Sequence, residues 1–224
     1  MNVMFTSCDK EYFDYAIRML KSFKQYNETK MYFGNIDCTK EQLDSLEALG
    51  ATVVPLKSIE TLETNRLTLN FVDWLIYPTM EHIRYDKILW IDADTLILDN
   101  IEELFEPIAN FVGHPGRNKK GAILSEHGKA RFAGGTWVGT RPFTNLLYQH
   151  LEELHNLNVE SQALTNFIVD KGITYHILDP SIYNFSRELI DKAEKDKEGK
   201  VFYRVYPKTA GFSIKNDGLR GKIE

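Results

Sequence analysis

The chain opens with a short, mostly apolar run at residues 2–7, which predicts a buried first strand. Phe13, Ala16, Ile17, Leu20 and Phe23 then recur at helical spacing. Residues 31–36 predict a second strand. Thr39 and Gln42 stand three apart, as in a capping box, ahead of Leu43, Leu46 and Leu49, and Gly50 closes that helix. Residues 52–56 predict the next strand. Strand and helix alternate, the pattern of a mostly parallel sheet flanked by helices, so the fold class is α/β.

Residues 66–83 predict a helix with Phe71, Trp74 and Leu75 inward, broken or kinked at Pro78. Residues 87–91 are apolar and β-rich, fit a central strand, and run into Asp92-Ala93-Asp94. Residues 95–98 continue extended and 99–105 form a helical turn. The stretch 113–135 is rich in glycine and charge and predicts a long mobile loop. A strand at 137–140 follows, then a helix marked by Phe143, Leu146, Leu147, Leu151 and Leu154. A second helix covers 161–171, stopped by Gly172, before a strand at 173–178. Residues 187–200 are highly charged, either a solvated helix or disordered, and 201–206 add a late edge strand. With neither repeat nor linker, residues 1–224 read as one domain, complete or cut from a longer chain.

Hydrophobic residues at 43% and charged residues at 26% are enough for a real core. The formal net charge of -5 argues against a general nucleic-acid binder, which needs a basic surface to displace counterions. It leaves room for a local basic pocket around a diphosphate. No apolar run approaches the roughly 20 residues that span a bilayer, and the N-terminus lacks the order of a signal peptide. The expectation is therefore no transmembrane segment and a cytoplasmic location. Cys8 and Cys38 are far apart in sequence, which predicts thiols rather than a disulfide framework.

The densest chemistry lies at Asp92 and Asp94. Carboxylates so near a core shift their pKa or seek a cation. In extended backbone, residues two apart point the same way, so the pair would converge on one point, with Ala93 leaving room for a ligand. Hard oxygen donors suit Mn²⁺ or Mg²⁺ completed by phosphate oxygens and water. On spacing alone, the triplet is equally a polar turn after a strand. His150 and His155, five apart, share no helix face and make no metal case.

Context changes that balance. The segment Tyr85-Asp86-Lys87-Ile88-Leu89-Trp90-Ile91-Asp92-Ala93-Asp94-Thr95-Leu96-Ile97-Leu98 resembles the metal-binding core of GT-A glycosyltransferases. It is most similar to family eight, the glycogenin and lipopolysaccharide galactosyltransferase group. The following Ile101-Glu102-Glu103-Leu104-Phe105 also looks like that family. The resemblance implies a GT-A fold in which Asp92 contacts the cation and the donor ribose and Asp94 ligates the cation. Phe5-Thr6-Ser7-Cys8-Asp9 and Tyr12 are similar to the family's nucleotide-binding strand and loop. That implies Thr6 and Ser7 beside the nucleoside, Asp9 reading the base and Tyr12 stacking on it. Asp9 is equally a carboxylate favoured at a helix N-terminus.

Phe132-Ala133-Gly134-Gly135-Thr136-Trp137-Val138 occupies the place of the family's Asn-Ala-Gly segment, implying acceptor contacts at Gly134, Gly135 and Thr136. Glu160-Ser161-Gln162-Ala163-Leu164-Thr165 stands where family eight has Asp-Gln-Asp-x-Leu-Asn, near the reacting sugar. Glu160 and Ser161 are thereby catalytic candidates, although Glu160 also suits a helix dipole. Tyr183-Asn184-Phe185 resembles the piece after the family's last core strand. The His-x-x-Gly-x-x-Lys-Pro-Trp element that supplies the third metal ligand is missing, leaving Asp217, Asn216 or water. The arginine ahead of the metal strand is matched only loosely by Arg66. Arg117, Lys119, Lys120, Lys129 and Arg131 are alternatives that also read as solvated charge.

Together these imply hexosyl transfer from a nucleoside diphosphate sugar, a UDP-sugar by resemblance, to a hydroxyl of a glycan or other acceptor. The resemblance implies retention, while Glu160 or Glu126 stands as a base for inversion. Two rivals are a sugar-nucleotide-binding protein without turnover and a sugar-phosphate nucleotidyltransferase. The latter's glycine-rich basic signature is missing near the first strand.

Overall fold

The computed structural model describes residues 1–55, 82–115, 125–126, 129–130, 132–150, 160–178 and 202–204. In order, these form β1 (Asn2–Cys8), α1 (Phe13–Tyr26), β2 (Lys30–Asn35), α2 (Lys40–Ala48) and β3 (Thr52–Pro55). Next come β4 (Lys87–Ile91), β5 (Thr95–Ile97), a 3-10 turn (Glu102–Phe105) and β6 (Phe111–Pro115). The rest are β7 (Ser125–Glu126), β8 (Lys129–Ala130), β9 (Phe132–Thr140), α3 (Arg141–Gln149), α4 (Glu160–Asp170), β10 (Tyr175–Ile177) and β11 (Phe202–Arg204). Among the described residues, no helix is long and apolar enough to cross a membrane.

Seven strands form one sheet in the order β10-β6-β9-β4-β1-β2-β3. Six run in the same direction, and β9 alone opposes its neighbours β4 and β6. Apart from the exposed edge strand β10, the sheet is buried on both faces. On one, Val3, Phe5, Ile88, Trp90, Phe111 and Trp137 meet Phe143 and Leu147 of α3 and Leu164, Phe167 and Ile168 of α4. On the other, Met4, Phe33, Leu89, Ile91, Val112 and Val138 meet Ala16, Met19, Leu20 and Phe23 of α1 and Leu46 of α2. Double burial explains why β1 and β4 read as continuous apolar runs. Thr39 and Gln42 form the expected capping box, and Gly50 (φ 92°) and Gly172 (φ 62°) take the left-handed conformation after their helices.

The long loop expected at 113–135 is a misreading of its described parts. Residues 111–115 are β6, 125–126 and 129–130 form a small hairpin, and β9 begins at Phe132 rather than 137. Glycine carried the error. A Cβ on Gly113 would lie 2.6 Å from the Phe111 ring, and one on Gly139 would lie 2.8 Å from the rings of Phe143 and Trp137. These glycines make room for aromatic packing inside strands, so they do not punctuate loops. Residues 95–98 do extend, but β5 leaves the main sheet and pairs antiparallel with β11, the late strand. The helix at 66–83, apart from its last two residues, and the charged stretch 187–200 lie outside the described residues.

Two polar links, one buried and one partly exposed, fasten the segment after β5 to the end of α1. Asn27 donates to the Phe23 carbonyl (3.0 Å) and accepts the Ile101 amide (2.8 Å). Glu102 accepts the Glu28 and Thr29 amides and the Thr29 hydroxyl, each at 2.9 Å. Partial burial works against the Glu102 charge, but those three donors outweigh it and hold its pKa below the usual carboxylate value.

Asn27→Ala strands the buried Ile101 amide and is expected to cost about 1–3 kcal/mol in urea unfolding. Glu102→Gln is expected to lower stability at neutral pH. A depressed carboxylate contributes fully above its unfolded pKa and loses that contribution as pH falls through its folded pKa. The gap between Glu102→Gln and the parent chain should therefore close on acidification, and unfolding curves collected between pH 7 and acid check it.

Candidate active site at the carboxyl rim of the sheet

Along β4 the side chains alternate strictly: Ile88 and Trp90 enter one core layer, Leu89 and Ile91 the other. Ala93 extends the second series, 6% exposed and packed with Ile91 and Ile97, so it fills core rather than leaving room for a ligand. The backbone then turns. The Thr95 amide bonds the Asp92 carbonyl at 3.1 Å, closing a turn over Ala93 and Asp94. The expected extended backbone, with both carboxylates on one face of a strand, is thereby corrected. Asp92 and Asp94 stand at the two shoulders of a tight turn. Asp94 is only 7% exposed, far more buried than a carboxylate ordinarily is.

Hydrogen bonds at its amide and its carboxylate hold Asp92. Its amide donates to the Gly135 carbonyl (2.8 Å), which extends the β4–β9 ladder one step beyond Ile91 and Thr136. Its Oδ1 accepts the Trp90 indole Nε1–H at 3.0 Å. That indole is itself held against Phe5, with ring centroids 5.8 Å apart. Sequence reasoning missed Trp90. The signal was there: two residues before Asp92 on a strand, it shares its face.

β1 lies beside β4 in parallel register, with Phe5 opposite Trp90. Carried two residues on, that register brings Ser7 level with Asp92. Thr6 and Ser7 are buried, and neither hydroxyl has a hydrogen-bond partner among the described residues. Alternation puts them on opposite faces, Ser7 with Phe5 and Thr6 with Met4 and Cys8, so one ligand surface does not collect both side chains. Beyond them, Asp9 Oδ1 accepts the Glu11 and Tyr12 amides, each at 3.0 Å, and starts the turn into α1. Asp9 thus builds the turn ahead of the helix, while the N-cap of α1 is Tyr12, which makes no side-chain cap hydrogen bond. Tyr12 is half-buried, and its ring lies 5.7 Å from that of Tyr15.

Gly134, Gly135 and Thr136 belong to β9, which reaches the same rim from the opposite direction. Gly135 sits level with Asp92. Thr136 is buried, and its hydroxyl donates to the Gly135 carbonyl (2.7 Å), so it supports the strand rather than facing out. Glu160 and Ser161 open α4. One turn further on, Thr165 Oγ1 accepts the Phe132 amide at 2.9 Å and docks that helix against the start of β9. Six segments thus gather near one rim: the ends of β1 and β2, the 92–94 turn, the end of β6, the start of β9 and the opening of α4.

Arg66, Arg117, Lys119, Lys120, Arg131, Tyr183, Asn184, Phe185, Asn216 and Asp217 lie outside the described residues. Lys129 and Glu126 sit in the β7–β8 hairpin. His150 is structural, with Nδ1 2.9 Å from the Leu146 carbonyl, and His155 is outside the described residues. Among the described residues no third His, Cys, Asp or Glu joins the aspartates as a metal cluster. The donor set nonetheless fits Mn²⁺ or Mg²⁺, since two hard carboxylates are how such ions are held when phosphates and water complete the shell. A second pairing went unread in the sequence: Cys38 Sγ lies 3.7 Å from the Cys8 carbonyl oxygen.

No family model and no characterised protein matches the chain by sequence. Solved structures match it by shape. It is similar to the galactosyltransferase LgtC in complex with donor and acceptor sugar analogs, at TM-score 0.66 and 12% identity over 93% of this chain and 88% of that one. It is also similar to the apo form of the glycosyltransferase GlyE of Streptococcus pneumoniae TIGR4, at TM-score 0.61 and 17% identity over 95% of this chain. The match spans 57% of the GlyE chain. The chain therefore has the mixed, mostly parallel sheet flanked by helices of the GT-A glycosyltransferase fold, the architecture of LgtC and GlyE.

Proposed function

We propose that this chain is a metal-dependent glycosyltransferase that moves a hexosyl group from a nucleoside diphosphate sugar, of the UDP class, to an acceptor hydroxyl with retention. The observation that carries the reading is the 92–94 turn. It puts a buried aspartate and an indole-anchored aspartate where ligands collect in α/β sheets, outside the carboxyl ends of the strands. The fold shared with LgtC supports the same reading, and retention rests on the family resemblance alone.

Mn²⁺ or Mg²⁺ held by Asp92 and Asp94 would supply Lewis-acid neutralisation of the leaving diphosphate. The protein's part is positioning. Trp90 and the Gly135 carbonyl hold Asp92 before any donor arrives, so no ordering of that side chain is needed on binding. The Ser7 hydroxyl is a ready donor or acceptor beside the nucleotide. The backbone at Gly134 and Gly135 carries no side chain, so a sugar can come close to it. Glu160 and Ser161, at the opening of α4, are the groups nearest in sequence reasoning to the reacting sugar, and the helix dipole there favours a negative partner.

A binder without turnover is the second reading, favoured by the want of a third metal ligand among the described residues. A nucleotidyltransferase is disfavoured because the turn after β1 is built by Asp9 rather than by a basic glycine-rich loop. Thermal shift with Mn²⁺ and a panel of UDP- and GDP-sugars, run beside an assay for released nucleoside diphosphate, separates these readings. Stabilisation with release supports the transferase, and stabilisation without release supports the binder.

Asp92→Asn and Asp94→Asn are each expected to weaken Mn²⁺-dependent UDP binding by at least about 100-fold, with circular dichroism unchanged. Turnover that survives EDTA would sink the metal-dependent mechanism. Trp90→Phe keeps the ring contact with Phe5 but removes the donor to Asp92. It should weaken Mn²⁺ affinity about 10-fold, read from the paramagnetic resonance of free Mn²⁺ without any assay of activity. Equal affinity in Trp90→Phe and the parent chain would show that the indole does not position the ligand.

A further inference from the structure

The two cysteines are thirty residues apart in sequence and neighbours in space. Parallel pairing of β1 with β2 sets Cys8 opposite Asn35. Asn35 Oδ1 then accepts the Cys38 amide at 2.9 Å, curling the chain back over the end of β1. Cys38 donates its thiol proton to the Cys8 carbonyl (3.7 Å), which brings the Cys38 sulfur against the backbone of Cys8. The surrounding loops are already stitched together. Asp37 accepts the Lys10 amide (2.8 Å) and pairs with its ammonium (3.4 Å), and Gln42 Nε2 donates to the Lys10 carbonyl (3.3 Å). Both cysteines are thiols here, Cys8 buried and Cys38 half-exposed.

We propose that Cys8 and Cys38 form a reversible dithiol–disulfide pair that clasps the loop after β1 to the loop after β2. The oxidant class is a small-molecule disulfide. Cys38 Sγ, as thiolate, attacks one sulfur of that disulfide and expels the other as a thiolate, giving a mixed disulfide on Cys38. Cys8 then loses its proton to solvent and attacks Cys38 Sγ, and the second small thiolate leaves. The chain has given up two electrons and two protons, and the small disulfide has become two thiols.

The local electrostatics sort these roles. Accepting the Cys8 thiol hydrogen bond lowers the Cys38 pKa, although partial burial and the nearby Asp37 and Asp9 carboxylates work against it. Cys8 is pushed up, first by giving that hydrogen bond and then by burial. Cys38 is therefore the entry point and Cys8 the resolving thiol, which matches their exposure.

The pair does not depend on the sugar-transfer reading, and its test uses no donor. The full chain is incubated with glutathione disulfide, then examined for free thiols, intact mass, melting temperature and amide exchange. The expected result is loss of both thiols with no glutathione adduct and no dimer on a non-reducing gel. Melting should rise by about 5–10 °C, reversibly with dithiothreitol, because a closed loop of this size removes unfolded-state entropy. The amides of residues 9–12 should exchange more slowly. Cys38→Ser should melt within about 2 °C of the reduced parent and show no oxidative gain. A lasting glutathione adduct, an intermolecular disulfide, or closure without slower exchange at residues 9–12 would overturn the clasp.

Discussion

The pairing of β4 with β9 is the constraint on which the rest of the molecule turns. Six strands run one way and would by themselves give a rim made only of strand ends and the loops that leave them. β9 runs against them, so its beginning reaches the same rim, and the Asp92 amide closes onto the Gly135 carbonyl there (2.8 Å). That one hydrogen bond makes the acidic turn and the glycine pair a single backbone unit. It also carries the β4–β9 pairing up to the residue where the turn begins.

Burial supplies the second condition. A sheet covered on both faces cannot let its last residues drift, because every second side chain is tied into one of two packed layers. Ala93 is the visible consequence. The small residue between the aspartates faces the layer under α1, where a larger side chain would displace Ile91 or Ile97. The triplet's middle position is thus set by the core.

The sequence made the frame legible where periodicity was clean. β1, α1, β2, α2, β3 and β4 follow from runs and spacings that double burial and a capping box explain. It misled at Gly113 and at Gly134-Gly135, where glycine was taken as a loop signal. At Gly113, beside the rings of Phe111 and Phe132, glycine relieves contact inside the sheet, and no local pattern distinguishes that from a turn. The aspartate pair was legible through its apolar context, but its geometry was not, because alternation says nothing about where a strand ends. Cys8 and Cys38 were beyond sequence reasoning for a related reason: their meeting depends on the β1–β2 register and on the Asn35 cap, neither of which separation along the chain reveals.

The site's division of labour follows from how each part is held. Trp90, Ser7 and Gly135 lie on paired strands and Asp92 directly follows one, which suits the proposed task of gripping a charged diphosphate. Asp9, Tyr12 and the opening of α4 lie outside the strands, Asp9 bonded to two amides of the turn into α1 and α4 joined through Thr165 to Phe132. In the proposed function, recognition of base and acceptor would fall to these positions outside the strands. A scaffold of this kind retains its shape at 12% identity to LgtC because the shared fold constrains only which positions are apolar and which way the strands run. Strand-borne and loop-borne groups would thereby divide the proposed work within one rim, and the boundary between them falls at the Asp92–Gly135 ladder hydrogen bond.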